Sequence, residues 1–355
     1  MTRETPRTVP ASLAAVGLAA ETRIMELLNA EVDRWGEINP MLAEPIEALR
    51  RLVMAGGKRL RPAFCHWAYI GAGGIHSNQL VVDAGAALEL LHTFALVHDD
   101  VMDGSDMRRG QPSVHRHLIN MHAEAGWNGE GRRFGEGAAI IIGDFAFVYA
   151  DQLMADVPPP ARAIFDELRI ELCVGQYLDM LGTAGSDRST PAARTIEIYK
   201  SGKYTVERPL HLGAALAGKL DELAEPLSAF GLPLGEAFQI RDDLLGVFGD
   251  SAVTGKPVGD DLREGKLTPL ITEAAARSTG SDLALLERIG NTDLDDVAIS
   301  DLRELFIRSG SVDAMEAEIE RLVAESLDAL DRAPLEQRSQ HALTELTNFV
   351  AWRDR

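Results

Sequence analysis

Asp99, Asp100 and Asp103 place three carboxylates within five residues, and Arg108 and Arg109 follow shortly after. Asp99 and Asp103 are four apart, so on a helix they share one face. Carboxylates stacked in that way repel each other, and burying them unpaired costs several kcal/mol or raises their pKa values. A cation must sit between them. Oxygen-only ligands that leave coordination positions open suit Mg²⁺, which keeps waters and shares its shell with substrate phosphates. An isolated motif of this kind reads more often as an exposed acidic helix end; the apolar run before it and the arginines after it argue otherwise.

A second acidic group, Asp242 and Asp243, closes the apolar segment Leu227 to Phe248, with Gln239 on the same face as Asp242. The following loop, TGKPVGDDLREGKLTP, carries Lys256, Asp260, Asp261 and Lys266. Upstream, Gly56 and Gly57 precede Lys58, Arg59 and Arg61, so free backbone N–H groups and positive side chains come together as a plausible diphosphate cradle. A helix C-cap with basic neighbours would give the same string. Acids for Mg²⁺ paired with bases for phosphate are what ionising a diphosphate ester demands. Metal and bases neutralise the charge growing on the leaving group, and the apolar wall above Asp99 would shield a carbocation from water.

The elements that must position these residues read as helices. Val81 to Val97 is apolar nearly all round, interrupted only by Asp83, Glu89, His92 and Thr93, and a helix with so little polar face must be buried. His92 lies two turns before Asp99 on the same side; a buried core histidine is the duller reading. Glu21 to Val53 has helical spacing and stops at Ala55-Gly56-Gly57. HAEAGWNGEGRRFGEG is Gly-rich without periodicity and is expected to be a long interhelical loop. Helices follow over Ala138 to Met154 and Ala161 to Met180, the latter carrying Gln176 and Asp179 as either site residues or buried hydrogen-bonding partners. Another begins at Pro191, runs through Lys200, Ser201 and Lys203, and should kink or end near Arg208 because of Pro209. No internal repeat and no alternating strand pattern is found. The expected architecture is all-α, a single large helical bundle around a central cavity over residues 21–355, after a flexible segment 1–20.

The net charge of −20 argues against a nucleic-acid partner. Hydrophobic residues make up 46% and aromatics only 6%, which suits packed helices. Cys65 and Cys173 show no metal-ligand spacing and no disulfide framework, which fits a reducing cytoplasm. The early run SLAAVGLAA is too weakly apolar for an export signal, and charges break the Val81 segment, so a cytoplasmic protein that does not span a membrane is expected.

Together, GGKRLRP, LLHTFALVHDD, DDVMD with Arg108-Arg109, Tyr199-Lys200-Ser201, FQIRDD and the Lys256 to Lys266 loop resemble the trans-type isoprenyl diphosphate synthases, from Gly56 to Lys266 by motif. The resemblance implies an all-α homodimer joining isopentenyl diphosphate, head to tail, to an allylic diphosphate (dimethylallyl, geranyl or farnesyl). It implies that Asp99 and Asp103 bind two Mg²⁺, supported by Asp100, and that Asp242 holds a third, aided by Asp243 and Asp261. Arg108, Lys200 and Lys256 would grip the allylic diphosphate, with Lys266 beside them. Gly57, Lys58, Arg61, His92 and Arg109 would hold isopentenyl diphosphate. Carbonyl oxygens near Lys200 and Ser201 and the amide of Gln239 would face the allylic cation.

Two positions depart from the family pattern: Gly246 stands where the second motif has its third acid, and Ser201 replaces a threonine. For product length, Phe94 lies about 7.5 Å before Asp99 on the helix axis, with small Ala95 beside it and Leu91 and Leu88 about 12 and 16 Å up as a deeper floor. One aromatic at that position resembles a geranylgeranyl-type pattern; farnesyl and longer polyprenyl products are the alternatives. A class I terpene cyclase would lack the Lys58 and Arg61 set, and DDLLG leaves some footing for a non-catalytic subunit of a heteromeric synthase. Arg353 and Arg355 could close over isopentenyl diphosphate as a lid or be a frayed end.

Overall fold

The structure, a computed structural model, describes residues 9–184, 189–249, 259–291 and 294–352; Lys256, Arg353 and Arg355 lie outside them. Helix α1 (Ala11–Ile38) begins ten residues ahead of the expected boundary, because Leu13, Gly17 and Ala20 continue the buried face of Ile24 and Leu28. Residues 11–20 are therefore helix, not flexible lead-in. The helical run expected over residues 21–53 breaks at Asn39, whose side chain accepts from the Met41 N–H and caps a short 3₁₀ turn, Pro40–Leu42. Helix α2 (Glu44–Met54) follows, and then α3 (Leu60–Gly71).

Helix α4 (Gln79–Asp103) is the axis of the fold, capped by Asn78 at its start and ended by Gly104 at φ 69°. By length and mean hydropathy, 1.7, it could cross a membrane despite its charges; 61% of that apolar window is buried. Helices α1, α3 and α6 (Gly131–Leu153) pack around it. Beyond α4, Met107–Arg108 (β1) pairs antiparallel with Gln111–Pro112 (β2), the one strand pairing among the described residues. Its two-residue turn, Arg109-Gly110, has φ values of 53° and 74°, as a type I′ hairpin requires. The hairpin folds Arg108 back onto the end of α4.

The expected long loop is shorter than its glycines suggested. Helix α5 (Val114–Glu124) continues into it and α6 starts at Gly131. A Cβ on Gly135 would stand 2.6 Å from the His115 carbonyl oxygen; this glycine lets two helices touch, and sequence composition cannot tell that from a loop.

After α7 (Pro159–Ala184), α8 (Thr190–Glu197) runs into a π-helical stretch, Ile198–Glu207, and on into α9 (Arg208–Leu216). The expected break at Pro209 is absorbed there. The Arg208 N–H reaches back to the Lys203 carbonyl, so the wider spacing ends where proline has no N–H to give. Helix α10 (Leu220–Phe248) packs on this stretch and on α15 (Ser311–Arg332). Between them come α11 (Asp260–Glu264), α12 (Pro269–Arg277), α13 (Ser281–Leu286) and α14 (Asp296–Arg308), and α16 (Gln337–Ala351) closes the chain. Arg241 ties α10 to this layer through both Glu316 oxygens, at 2.7 and 2.6 Å, and the Ala351 carbonyl.

Candidate active site

The two acidic helix ends meet. Asp99 Oδ1 accepts from Lys200 Nζ at 3.1 Å and from Gln176 Nε2 at 2.9 Å, and the same Lys200 ammonium lies 2.5 Å from Asp179. Burial opposes ionisation of Asp99, but Lys200, Lys266 and Arg108 outweigh it and hold the carboxyl below its usual range. Asp103 feels the opposite balance: burial, then the charges of Asp99 and Glu264, push it up to about 7. Asp100, a third of a turn round the helix, is 1% exposed and takes two bonds from Arg108. Expected beside the metal, it instead anchors Arg108, which stands 3.6 Å from Asp99.

The π-helical stretch brings Lys200 to this point. Gly175 of α7 and Gly235 of α10 clasp it: a Cβ on the first would stand 2.6 Å from Lys200 Cα, and on the second 2.6 Å from Gly202 Cα. On α10, Gln239 donates to Asp243 at 2.7 Å instead of standing open. Burial pushes the Asp243 carboxyl up to about 7, with Asp261 adding to it. Burial, then the charge of Asp243, raises the Glu197 carboxyl well above the usual range. Asp242, half-buried, immediately precedes Asp243. Lys266 joins the two motifs. Asp261 most of all, then Asp179, Asp99 and Asp243, hold its ammonium charged against burial. A hollow of about 140 Å³ opens here, lined by Met102, Asp103, Asp179, Thr183, Glu264 and Lys266.

Gly246 acquires a reason. A Cβ there would fall inside van der Waals contact of the Asp261 carboxylate, whose Cγ is 3.2 Å away. The acid from α11 occupies the space that a side chain on α10 would need.

Among the described residues no three His, Cys, Asp or Glu side chains form a ready-made metal cage. The acids are spanned instead by the Lys200 and Lys266 ammonium groups, cations placed where the carboxylates need one. This donor set, all oxygen and open on one side, fits Mg²⁺ shared with a diphosphate.

A group of bases gathers round His92. Arg61 donates to Thr205 Oγ1 at 2.9 Å and stacks 4.2 Å from the Tyr204 ring, and His92 stands 6.2 Å from the same ring. Burial, then Arg61, Arg109, Arg108 and Arg59, hold His92 well below its usual pKa, so it is neutral among converging positive charges. Gly57, at φ 152°, sits under Arg109, whose Nη1 donates to the Leu52 carbonyl. Lys58 is half-buried. Arg59 does not join as a phosphate base: it turns inward to Glu89 at 2.8 Å and the Val53 carbonyl at 2.6 Å.

Along α4, His92, Phe94, Ala95, His98 and Asp99 are half-buried, whereas Leu91 and Leu88 are 0% exposed. These two belong to the packed core in this structure. A larger hollow of about 410 Å³, between α1, α3, α4 and α16, holds no comparable acid and base set. Sequence reading missed Glu264, Glu197 and Tyr204. Only Glu197, one turn before Lys200, left a signal.

The chain matches the polyprenyl synthetase family model over residues 43–305. It is 31% identical over 312 residues to the geranylfarnesyl diphosphate synthase of Aeropyrum pernix, covering 85% of this chain and 92% of that one. It is 35% identical over 248 residues to the geranylgeranyl diphosphate synthase of Methanosarcina mazei, covering 68% and 70%. A geranylgeranyl pyrophosphate synthase structure from Corynebacterium glutamicum, complexed with isoprenyl diphosphate and magnesium, superposes with a TM-score of 0.90 at 32% identity, covering 96% of this chain and 99% of that one. With its helical fold and its acids and bases gathered at one hollow, the chain belongs to the polyprenyl synthetase family and is an isoprenyl diphosphate synthase.

Proposed function

We propose that the protein condenses isopentenyl diphosphate with an allylic diphosphate, up to farnesyl, and releases geranylgeranyl diphosphate as its main product. Asp99, Asp103 and Asp242 would hold Mg²⁺, up to three ions with the diphosphate completing their shells, and Asp243 and Asp261 would orient the water around them. Mg²⁺ bound there supplies neutralisation of the departing diphosphate's charge. Lys200 and Lys266 release their carboxylates and turn to phosphate oxygens, joined by Lys256; Arg108, pinned by Asp100, approaches from the other side. Gly57, Lys58, Arg61, His92 and Arg109 take the second diphosphate without metal. Ser201, Gln239 and the π-helical carbonyls near Lys200 face the allylic cation, since a carbonyl freed from i→i+4 bonding can point its dipole at a positive centre.

The observation that supports this reading is Lys266, whose ammonium lines the hollow with Asp103 and lies in the combined field of Asp99 and Asp243. Phe94, half-buried below Asp99 and beside small Ala95, supports a twenty-carbon limit. We read residues 11–352 as one catalytic unit that works as a homodimer. Supporting this, Ile141 and Val148 on α6 and Ile170, Val174 and Tyr177 on α7 leave apolar stripes exposed. With −20 net charge and α4 enclosed by helices, we place it in the cytoplasm, neither crossing a membrane nor binding nucleic acid.

The test is purified protein with Mg²⁺, labelled isopentenyl diphosphate and each allylic primer in turn, with products resolved by length. Twenty-carbon product is expected. No incorporation with any primer would move the chain to the non-catalytic subunit reading, and cyclised hydrocarbon from an allylic diphosphate alone to the cyclase.

A further inference from the structure

Phe94 does not stand alone below the acids. Its ring packs on Phe147 of α6, centroids 5.0 Å apart and planes tilted by 58°, and the His98 ring lies 4.6 Å from it. Behind Phe147 the Arg169 guanidinium of α7 lies 5.1 Å from that ring and 4.9 Å from the Phe165 ring. A guanidinium close to two rings is attracted to both. Arg169 is also fixed at its charged end: Nη1 donates to Asp151 at 2.7 Å and Nη2 to Asp166. Arg162 grips the same two carboxylates, at 2.5 and 3.1 Å. The clamp is thus two arginines, two aspartates and three rings.

Its depth follows from the helices. Arg169 is seven residues before Gln176, the α7 residue bonded to Asp99, which places it about 10 Å below the acids on the α7 axis. Phe94 and Phe147 are half-buried, while the Leu91 side chain beyond is sealed.

We propose that the end stop for the growing hydrocarbon is the Phe94–Phe147 ring pair, and that Arg169 is its positioning residue, holding Phe147 across the path from behind. This rests on the synthase reading above. A lone phenylalanine on a half-open helix face could rotate away from a lengthening chain. A second ring backed by a guanidinium that is tied to two carboxylates cannot do so without breaking those bonds.

The experiment compares product length from labelled isopentenyl diphosphate and farnesyl diphosphate in wild type, Phe147→Ala, Arg169→Met and Arg169→Lys, with KM for isopentenyl diphosphate measured alongside. Phe147→Ala and Arg169→Met are expected to shift the main product by at least one isoprene unit with that KM unchanged, and Arg169→Lys to restore most of the wild-type length. Asp151→Asn, which slackens the clamp without emptying space, should give a mixed profile and serves if Arg169→Met fails to fold. Wild-type length in Phe147→Ala would overturn the ring pair. Lengthening in Phe147→Ala with wild-type length in both Arg169→Met and Asp151→Asn would overturn the role of Arg169. No incorporation by the wild-type protein would instead strike the synthase reading itself.

Discussion

Substituting Gly246 by alanine tests how this chain manages without the third acid of its second motif. The new methyl would stand inside contact distance of the Asp261 carboxylate, with Asp261 Cγ only 3.2 Å away and Cβ at 3.9 Å. The clash falls on the tip of a side chain and not on backbone, so Asp261 can swing aside; the stability loss is expected at the low end of overpacking, about 1 kcal/mol. Function should suffer more. A displaced Asp261 leaves the place where it lies 4.0 Å from Lys266 and faces the second acidic motif. Losing a partner that orients metal-bound groups typically weakens metal affinity by about 10- to 100-fold. Gly246→Ala should therefore raise the Mg²⁺ concentration for half-maximal turnover by that factor while lowering the melting temperature only slightly. The exchange Gly246→Asp with Asp261→Gly returns a carboxylate to the same space and should recover much of the loss. Calorimetric titration of Mg²⁺ with a non-reacting diphosphate analogue reads the same change without catalysis. A Gly246→Ala protein that takes up Mg²⁺ as the wild type does would refute the reasoning, because Asp261 would then be dispensable at its present position.

Two further outcomes follow from the electrostatics. Asp103, raised by burial, Asp99 and Glu264 from 3.8 to about 7, binds a proton in the folded state that the unfolded chain has already lost; its contribution to stability is full below 3.8 and disappears as pH rises through 7. Metal-free protein should lose melting temperature over that window and regain it when Mg²⁺ is added, whereas an Asp103→Asn variant should show a flatter profile; equal slopes would remove Asp103 as the source. Arg61→Ala takes a guanidinium from beside Thr205 and Tyr204, and a charged hydrogen bond to diphosphate is worth about 1.5–3 kcal/mol. KM for isopentenyl diphosphate should rise about 10- to 100-fold with KM for the allylic primer little changed, and an equal rise in both would show that Arg61 does not separate the two sites.

How much could be read in advance divides by residue. Asp99 and Asp103 were legible as a pair because four-residue spacing on a helix fixes a shared face, and the apolar run before them fixed the helix as buried. The same periodicity placed Asp100 a third of a turn away, but only the Arg109-Gly110 hairpin, folding Arg108 back onto it, decided that this acid anchors an arginine. Arg59 was indistinguishable from Lys58 and Arg61 in GGKRLRP; its inward turn depends on Glu89, thirty residues on, and on a positive φ of 52°. Glycines at 131, 135 and 137 suggested a loop, because composition does not record a neighbouring helix.

What the sequence by itself determined is therefore everything that follows from local period and residue chemistry: an all-helical chain, two acidic helix ends, bases for phosphate, an apolar path behind them. What only the tertiary structure decided is pairing across distance. The approach of Lys266 to both motifs, the room that Gly246 leaves for Asp261 and the stack running from Phe94 through Phe147 to Arg169 all join residues from different elements. Their separation in space is set by how whole helices pack, and no short-range pattern along a chain encodes that.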